Sequence, residues 1–341
     1  MPMRYAFLPF LLVIAASTVA DAQAPAPVRP ARDINPESRS RLPLLKAGVE
    51  GVEAIRLHAS GVDVRWNSPL GRQLTELAIL TAAREHDQPY EWSLHEMEAL
   101  AVGLDPAVID VVRHERSAAG LAAKPAIIIE MGREIFARHT LSAPVYTNAL
   151  KILGTPDLVD IVSLMANYAA TATRLTAFNQ QMPPGWKQTL PLPFTPPDDI
   201  HPDTKSRLAY MKAPTGPTPG ALYSRGLAPE GTGPGQITRH GSGLKLLEAG
   251  VGRRTMALAV LVTSQEHHQA YHWTRSEAAA RKDGLDSAVI DVVRKNAPLT
   301  GLGEKDAALV QFGRELFRSH TVAPATYQRA LQAFGERNLV D

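Results

Sequence analysis

The chain has 341 residues, a formal charge of +2, 45% apolar and 21% charged residues, and no cysteine. This is the balance of a folded chain with room for about two domains, not of a disordered one. The small net charge argues against a dedicated nucleic-acid binder, which carries a concentrated basic patch. The lack of cysteine excludes disulfides, thiolate zinc sites, iron–sulfur clusters and every thiol redox cycle.

Residues 1–22 read as a secretory signal peptide. Arg4 supplies the positive start, 6–16 is an almost unbroken apolar run, and Ala20-Asp21-Ala22 has the small-x-small form of a cleavage site. The run is too short to span a bilayer, which takes about 20 residues; an uncleaved anchor is the alternative. The mature chain is then expected from Gln23 onward, in a bacterial periplasm or secreted, with no membrane attachment after cleavage. Residues 23–32, QAPAPVRPAR, read as an extended tether.

The rest is organised by an internal repeat. GLDPAVIDVVR at 103–113 returns as GLDSAVIDVVR at 284–294, an offset of 181. The same offset pairs Gly132-Arg133-Glu134 with Gly313-Arg314-Glu315, His139-Thr140 with His320-Thr321, and Leu158-Val159-Asp160 with Leu339-Val340-Asp341. Across 80–160, 35 of 81 positions are identical to their partners without a gap, which only duplication explains. A shorter match pairs Asp33-Ile34-Asn35-Pro36 with Asp199-Ile200-His201-Pro202. The units are therefore 33–185 and 199–341, joined by a Pro-rich linker, 186–198, that cannot continue a helix.

Local signals are helical throughout. Segments 74–84 and 90–102 lack breakers, and Gly103 is placed to end the second. Asp105-Pro106 reads as a cap opening a helix over 106–116. Further helices are predicted from Pro125 to about residue 139, over 146–153, and over 161–180, where apolar residues recur at helical spacing. The second unit stops before its counterpart of that last helix, leaving a groove, another helix in its place, or a continuation. The fold class is all-α, two similar helical domains in tandem.

Among polar residues, 75–100 concentrates Glu76, Glu85, His86, Glu91 and His95. Glu91 and His95 are i,i+4 and share a helix face; a hairpin can bring Glu76 to His95. A carboxylate against an imidazole orients the ring and tunes its pKa. The bland alternative is a surface pair worth a few tenths of a kcal/mol. His268 and His272 are also i,i+4, but no third ligand of fixed geometry is evident, so no metal is expected, and His267, His268 and His272, like His86, read as solvated. The Gly-Arg-Glu triplets and His139/His320, present in both units, read as structural.

The segments TELAIL (75–80), YEWSLHE (90–96), GLDPAVID (103–110) and LVDIVSLMANYAATATRLTAFNQQMPPG (158–185) resemble the carboxymuconolactone decarboxylase family, which shares an all-α fold with the AhpD-like alkyl hydroperoxidases. MALAVL (256–261), YHWTRSE (271–277) and GLDSAVID (284–291) extend the resemblance to the second unit. It implies two AhpD-like domains, the second lacking its final helix. In the peroxidase branch two cysteines lie seven and four positions before a histidine, with a glutamate 19 before it. His95 and Glu76 match the last two, while the cysteine positions fall on Gln88 and Glu91. Thiol peroxidase chemistry is thereby excluded. The Tyr/Phe-Glu-Trp-x-x-His pattern of the decarboxylase branch fits 90–95, although Thr75 stands where members often carry arginine.

The repeat then separates roles. Glu76, Glu91 and His95 become Ala257, His272 and Ser276, while Glu85, Tyr90 and Trp92 persist as Glu266, Tyr271 and Trp273. A carboxylate–histidine relay cannot operate with Ala and Ser, so the second domain reads as a degenerate mate of an active first one. The expected function is cofactor-free acid–base chemistry, a lyase or isomerase acting on a small lactone or carboxylated ring. Glu76, His95 and Glu91 are the catalytic candidates. Tyr90, Trp92, Arg72 and Arg84 are candidates for holding substrate, with a core position weighed first for Trp92. The alternative is a non-catalytic helical protein that binds a ligand or builds an oligomer. The expected partner is a small molecule, with self-association implied by the resemblance.

Overall fold

The computed structural model describes residues 33–193, 199–213 and 229–341, which belong to one compact unit. The expected signal peptide (1–22), tether (23–32) and last stretch of the linker (194–198) lie outside the described residues.

The first repeat contributes α1 (Gly51–Arg56), α2 (Val64–Asn67), α3 (Arg72–Glu85), α4 (Pro89–Ala101), α5 (Pro106–Arg113), α6 (Ala123–Arg138), α7 (Ala143–Leu153) and α8 (Thr155–Ala177). The second contributes α9 (Gly233–Thr238), α10 (Leu244–Val251), α11 (Arg253–Glu266), α12 (Ala270–Lys282), α13 (Ser287–Arg294), α14 (Glu304–Arg318) and α15 (Pro324–Val340). No strand occurs among the described residues. The fold is all-α and AhpD-like, and α3, α4 and α5 recur as α11, α12 and α13 at an offset of 181.

Local chemistry sets the boundaries. The Asp105 carboxylate accepts the Ala107 N–H at 2.8 Å, and Asp286 does the same for Ala288 at 2.7 Å. α5 stops at Arg113 rather than 116 because Glu115 turns to φ 52°, outside the helical region. Gly154, at φ 77° and ψ 167°, separates α7 from α8, and Gly335 makes the matching kink inside α15 at φ 73° and ψ 157°.

α3 is the central rod of the first half. It is buried from Thr75 to Arg84 and packs against α4, α6 and α8. Leu77, Ile79, Ile128 and Met165 belong to its core, and Leu258, Leu261, Ile290 and Val310 form the smaller core of the second half. A third apolar cluster spans the two halves, joining Tyr90, Leu94 and Phe178 to Leu208, Ile237, Phe312 and Tyr327.

The triplets expected to be structural form the same clasp twice. Arg133 donates to the carbonyls of Val111 (3.1 Å) and Arg116 (2.7 Å), as Arg314 does to Val292 (3.1 Å) and Ala297 (3.0 Å). Glu134 accepts the Ser142 N–H at 2.7 Å, and Glu315 the Ala323 N–H at 2.9 Å. The halves part at α8. Ile79 on α3 is fully buried, whereas Val260, its counterpart on α11, is 41% exposed.

Candidate functional site

Glu76 lies on α3 and His95 on α4, the two arms of a helical hairpin turned at residues 86–88. The hairpin brings the Glu76 Oε2 within 2.7 Å of the His95 Nδ1. Both side chains are buried, Glu76 completely and His95 at 2% exposure. Tyr168, on α8, sets the edge of its ring against the imidazole at a centroid distance of 4.9 Å.

Two arginines converge on the same carboxylate. Arg72, one turn before Glu76 on α3, donates its Nη2 to Oε1, and Arg65 brings its Nε to 3.4 Å of that oxygen from α2. The Arg72 Nη2 also lies 3.4 Å from the Oε2 of Glu98, one turn beyond His95 on α4. Trp66 lies against both guanidiniums, 4.0 Å from Arg72 and 4.7 Å from Arg65. Several buried polar atoms carry no hydrogen bond: Arg65 Nη2, Arg72 Nε and Nη1, Glu98 Oε1 and both oxygens of Glu91. Buried polar groups are ordinarily paired, so such a group of orphans is the kind of surface a polar ligand completes.

The electrostatics assign protonation states. Burial pushes the Glu76 carboxyl up, but the His95 ring and the cations of Arg65 and Arg72 outweigh it and hold the pKa at about 2. His95 moves below its usual value because burial outweighs the pull of Glu76, so the ring is neutral at pH 7. The Nδ1–H then donates to Glu76, and Nε2 carries the lone pair. Among the described residues no hydrogen bond to that nitrogen is found. Glu91 goes the other way: burial drives its carboxyl well above the usual range, against the charges of Arg174 and Arg65. One helix face thus presents a neutral base and, one turn away, a carboxyl that burial biases toward its acid form, a pairing suited to acid–base catalysis.

Glu76, His95 and Arg72 are therefore brought together, with Glu91 on the same face of α4. Three other candidates serve elsewhere. Trp92 is fully buried in the core, its indole N–H donating to Glu96 (3.0 Å) and Thr189 (2.9 Å), while Arg113 bonds Glu96. The second half repeats this as Trp273, Glu277 and Arg294, which marks it as scaffold. Arg84 donates to the Arg113 carbonyl at 3.0 Å and pairs with Asp87 and Glu115. Tyr90 faces the second half, its hydroxyl 3.0 Å from that of Thr232 and its ring tilted against Trp186 at 5.2 Å. Burial raises its pKa to about 12, so it stays protonated.

Arg65 and Glu98 join the site without having been singled out in the sequence. Glu98 had a signal, standing i+3 from His95 on one helix face. Arg65 had none, since a four-residue helix 11 positions before Glu76 carries no periodicity. In the second half Ala257, Ser276 and Ala279 replace Glu76, His95 and Glu98, and Arg253 pairs on the surface with Glu248 at 2.7 Å.

The fold and the site define a class: a thiol-free helical protein with a carboxylate–histidine pair buried between two helices. Residues 54–129 match the carboxymuconolactone decarboxylase family, a segment of about a fifth of the chain. It includes every member of the Arg65–Arg72–Glu76–Glu98–His95 network and Glu91. No curated protein and no solved structure matches the chain.

Proposed function

We propose that the first repeat is a cofactor-free acid–base enzyme that moves a proton at a carbon next to a carbonyl, as a lyase or isomerase of a small lactone or carboxylated ring. The observation that carries this reading is the buried 2.7 Å contact between Glu76 and the His95 Nδ1. It leaves a neutral imidazole with Nε2 as the base. In an isomerisation, Nε2 takes the proton from the carbon α to the carbonyl and the electron pair moves onto oxygen. The anionic Glu76 stabilises the imidazolium so formed. The unpaired N–H groups of Arg65 and Arg72 stabilise the enolate or hold a ring carboxylate. The Glu91 carboxylic acid returns a proton at the far carbon. In a decarboxylation, carbon dioxide leaves its bonding pair on the ring, the carbonyl takes up that charge, and Glu91 protonates the carbon.

One observation favours the other reading, a binding or scaffolding protein. Glu76, Glu91 and His95 are at most 2% exposed, so ligand reaches them only after a side chain moves. Trp66, on the four-residue α2, packs against both arginines and is the side chain this reading would have move. Export, self-association and the division into an active and a degenerate domain belong to this proposal.

The test is deuterium incorporation from heavy water into a panel of γ-lactones, cyclic ketones and β-keto acids, followed by NMR, with wild type beside His95→Gln. Exchange or turnover in wild type, lost in a variant with an unchanged circular dichroism spectrum, is the expected result. No exchange with any substrate in wild type, together with equal ligand binding by both proteins, would move the assignment to a binding protein.

A further inference from the structure

Four histidines, expected from the sequence to be solvated or merely structural, meet where the repeats touch. His86 and His139 come from the first half, and His267 and His320 from the second. With Phe136, Phe317, Thr173, Thr176 and Leu316 they line one pocket. The duplication pairs His86 with His267, His139 with His320 and Phe136 with Phe317, each 181 apart. The contacts obey the same symmetry. His86 stacks on His320 at 5.6 Å, and its mirror contact sets His267 against His139 at 5.6 Å. Each half is braced by its own phenylalanine, Phe136 at 4.9 Å from His86 and Phe317 at 4.8 Å from His267. This is the pattern of a twofold interface retained inside one chain.

The carboxylates nearest the rings, Asp87 and Glu266, favour their protonation, but both already hold arginines. Asp87 pairs with Arg84, Glu266 with Arg318 (2.6 Å) and Glu85 with Arg133 (3.9 Å). Glu115, beside Glu85, pairs with Arg84 at 3.1 Å, and Arg314, near Glu266, is a further cation. The remaining ring is His268, which replaces Asp87 in the second half and lies 4.9 Å from His139. Of these rings, among the described residues, only His320 touches a carboxylate, Asp87 at 3.3 Å. The rings are not arranged around a common point, and no group of three ligating side chains that could hold a metal ion occurs among the described residues.

We infer that the His86–His320 and His139–His267 contacts form an acid-sensitive latch: neutral rings close the cleft between the repeats, and protonation of the cluster opens it. The direction follows from charge. Protonating rings packed across both mirror contacts places like charges 5.6 Å apart, centre to centre, at a partly desolvated junction, where repulsion is only weakly screened. The protonation behaviour agrees. Burial, and after it the charge of His320, lowers His86 to about 4; burial, then His268, lowers His139; burial, then His139, lowers His267. The apolar cluster between the halves keeps the repeats tethered while the cleft opens.

The absence of native cysteine makes the test clean. Spin labels on Ala137→Cys and Ser319→Cys, exposed positions flanking the pocket in α6 and just after α14, report the width of the cleft in the full chain. The expected result is one narrow distance distribution at pH 7.5, broadening to longer distances by pH 5. A His86→Gln/His139→Gln/His267→Gln variant should keep its pH 7.5 distribution at pH 5. An unchanged wild-type distribution at pH 5, or equal broadening in the triple variant, overturns the latch. If the triple variant fails to fold, His139→Gln, at the more open end of the cluster, is expected to shift the opening midpoint to lower pH. An unmoved midpoint would count against the proposal.

Discussion

Glu76 is the residue on which the site turns, because it is at once the acceptor for His95 and the counter-ion for two arginines. Replacing it by Gln keeps the shape and removes the charge. Turnover should fall by about 10²–10⁴-fold, the usual contribution of a positioned acid–base group. Stability should fall by about 3–5 kcal/mol, because Arg65 would be left buried without a counter-charge and Arg72 with only Glu98 at 3.4 Å. Urea unfolding checks the second effect, and kinetics below the melting transition the first. Glu91→Gln should behave differently. Burial raises the Glu91 pKa in the fold, so its carboxyl costs stability at pH 7. The amide should be neutral or stabilising by urea unfolding while removing the proposed proton donor. A large loss of stability would show that the carboxyl is bonded in a way the structure does not reveal.

Packing distances set the limits at the scale of elements. Gly132 lies where α6 crosses α3, and a Cβ there would run into the Cγ2 of Thr81, whose hydroxyl is already bound to the Leu77 carbonyl at 2.8 Å. Gly313 meets Val262 in the same way, 2.5 Å from its Cγ1. Gly132→Ala is expected to cost about 1–3 kcal/mol through overpacking, read as a lower melting temperature. The α3–α4 hairpin was legible from its sequence, because unbroken helical stretches and a fixed spacing of 19 residues are linear properties. The role of α2 was not: a four-residue helix has too few positions to show a period, yet it supplies Arg65 and Trp66. Trp92 shows the reverse, since the family-like pattern around it suggests a site while its indole is consumed by Glu96 and Thr189.

For the whole molecule, acid should act in two steps. His86 has its folded pKa lowered from 6.5 to about 4, so its contribution is complete above pH 6.5 and is lost as pH falls toward 4. Glu76 has its folded pKa lowered from 4.5 to about 2, so its contribution is complete above pH 4.5 and is lost between there and pH 2. Each shift corresponds to roughly 3 kcal/mol. Melting temperatures taken from pH 7.5 to pH 2.5 should fall first between pH 6.5 and 4, then again below pH 4.5. His86→Gln is expected to reduce the first fall, to which His95, His139 and His267 also contribute, and Glu76→Gln to remove the second. A single fall unaffected by either variant would contradict both assignments.

The all-α class, the duplication and the lack of thiol chemistry were determined by the sequence alone, from periodicity, self-similarity and composition; for Glu76 and His95 the spacing showed that a hairpin can join them, and the family resemblance made that the expectation. The tertiary structure decided which arginines face Glu76, that Trp92 and Arg84 serve the scaffold, and that four histidines meet across the repeats. Those facts join side chains from separate elements, up to 234 positions apart for His86 and His320. Such proximity is set by how helices pack, and packing is a property of surfaces that no local pattern records.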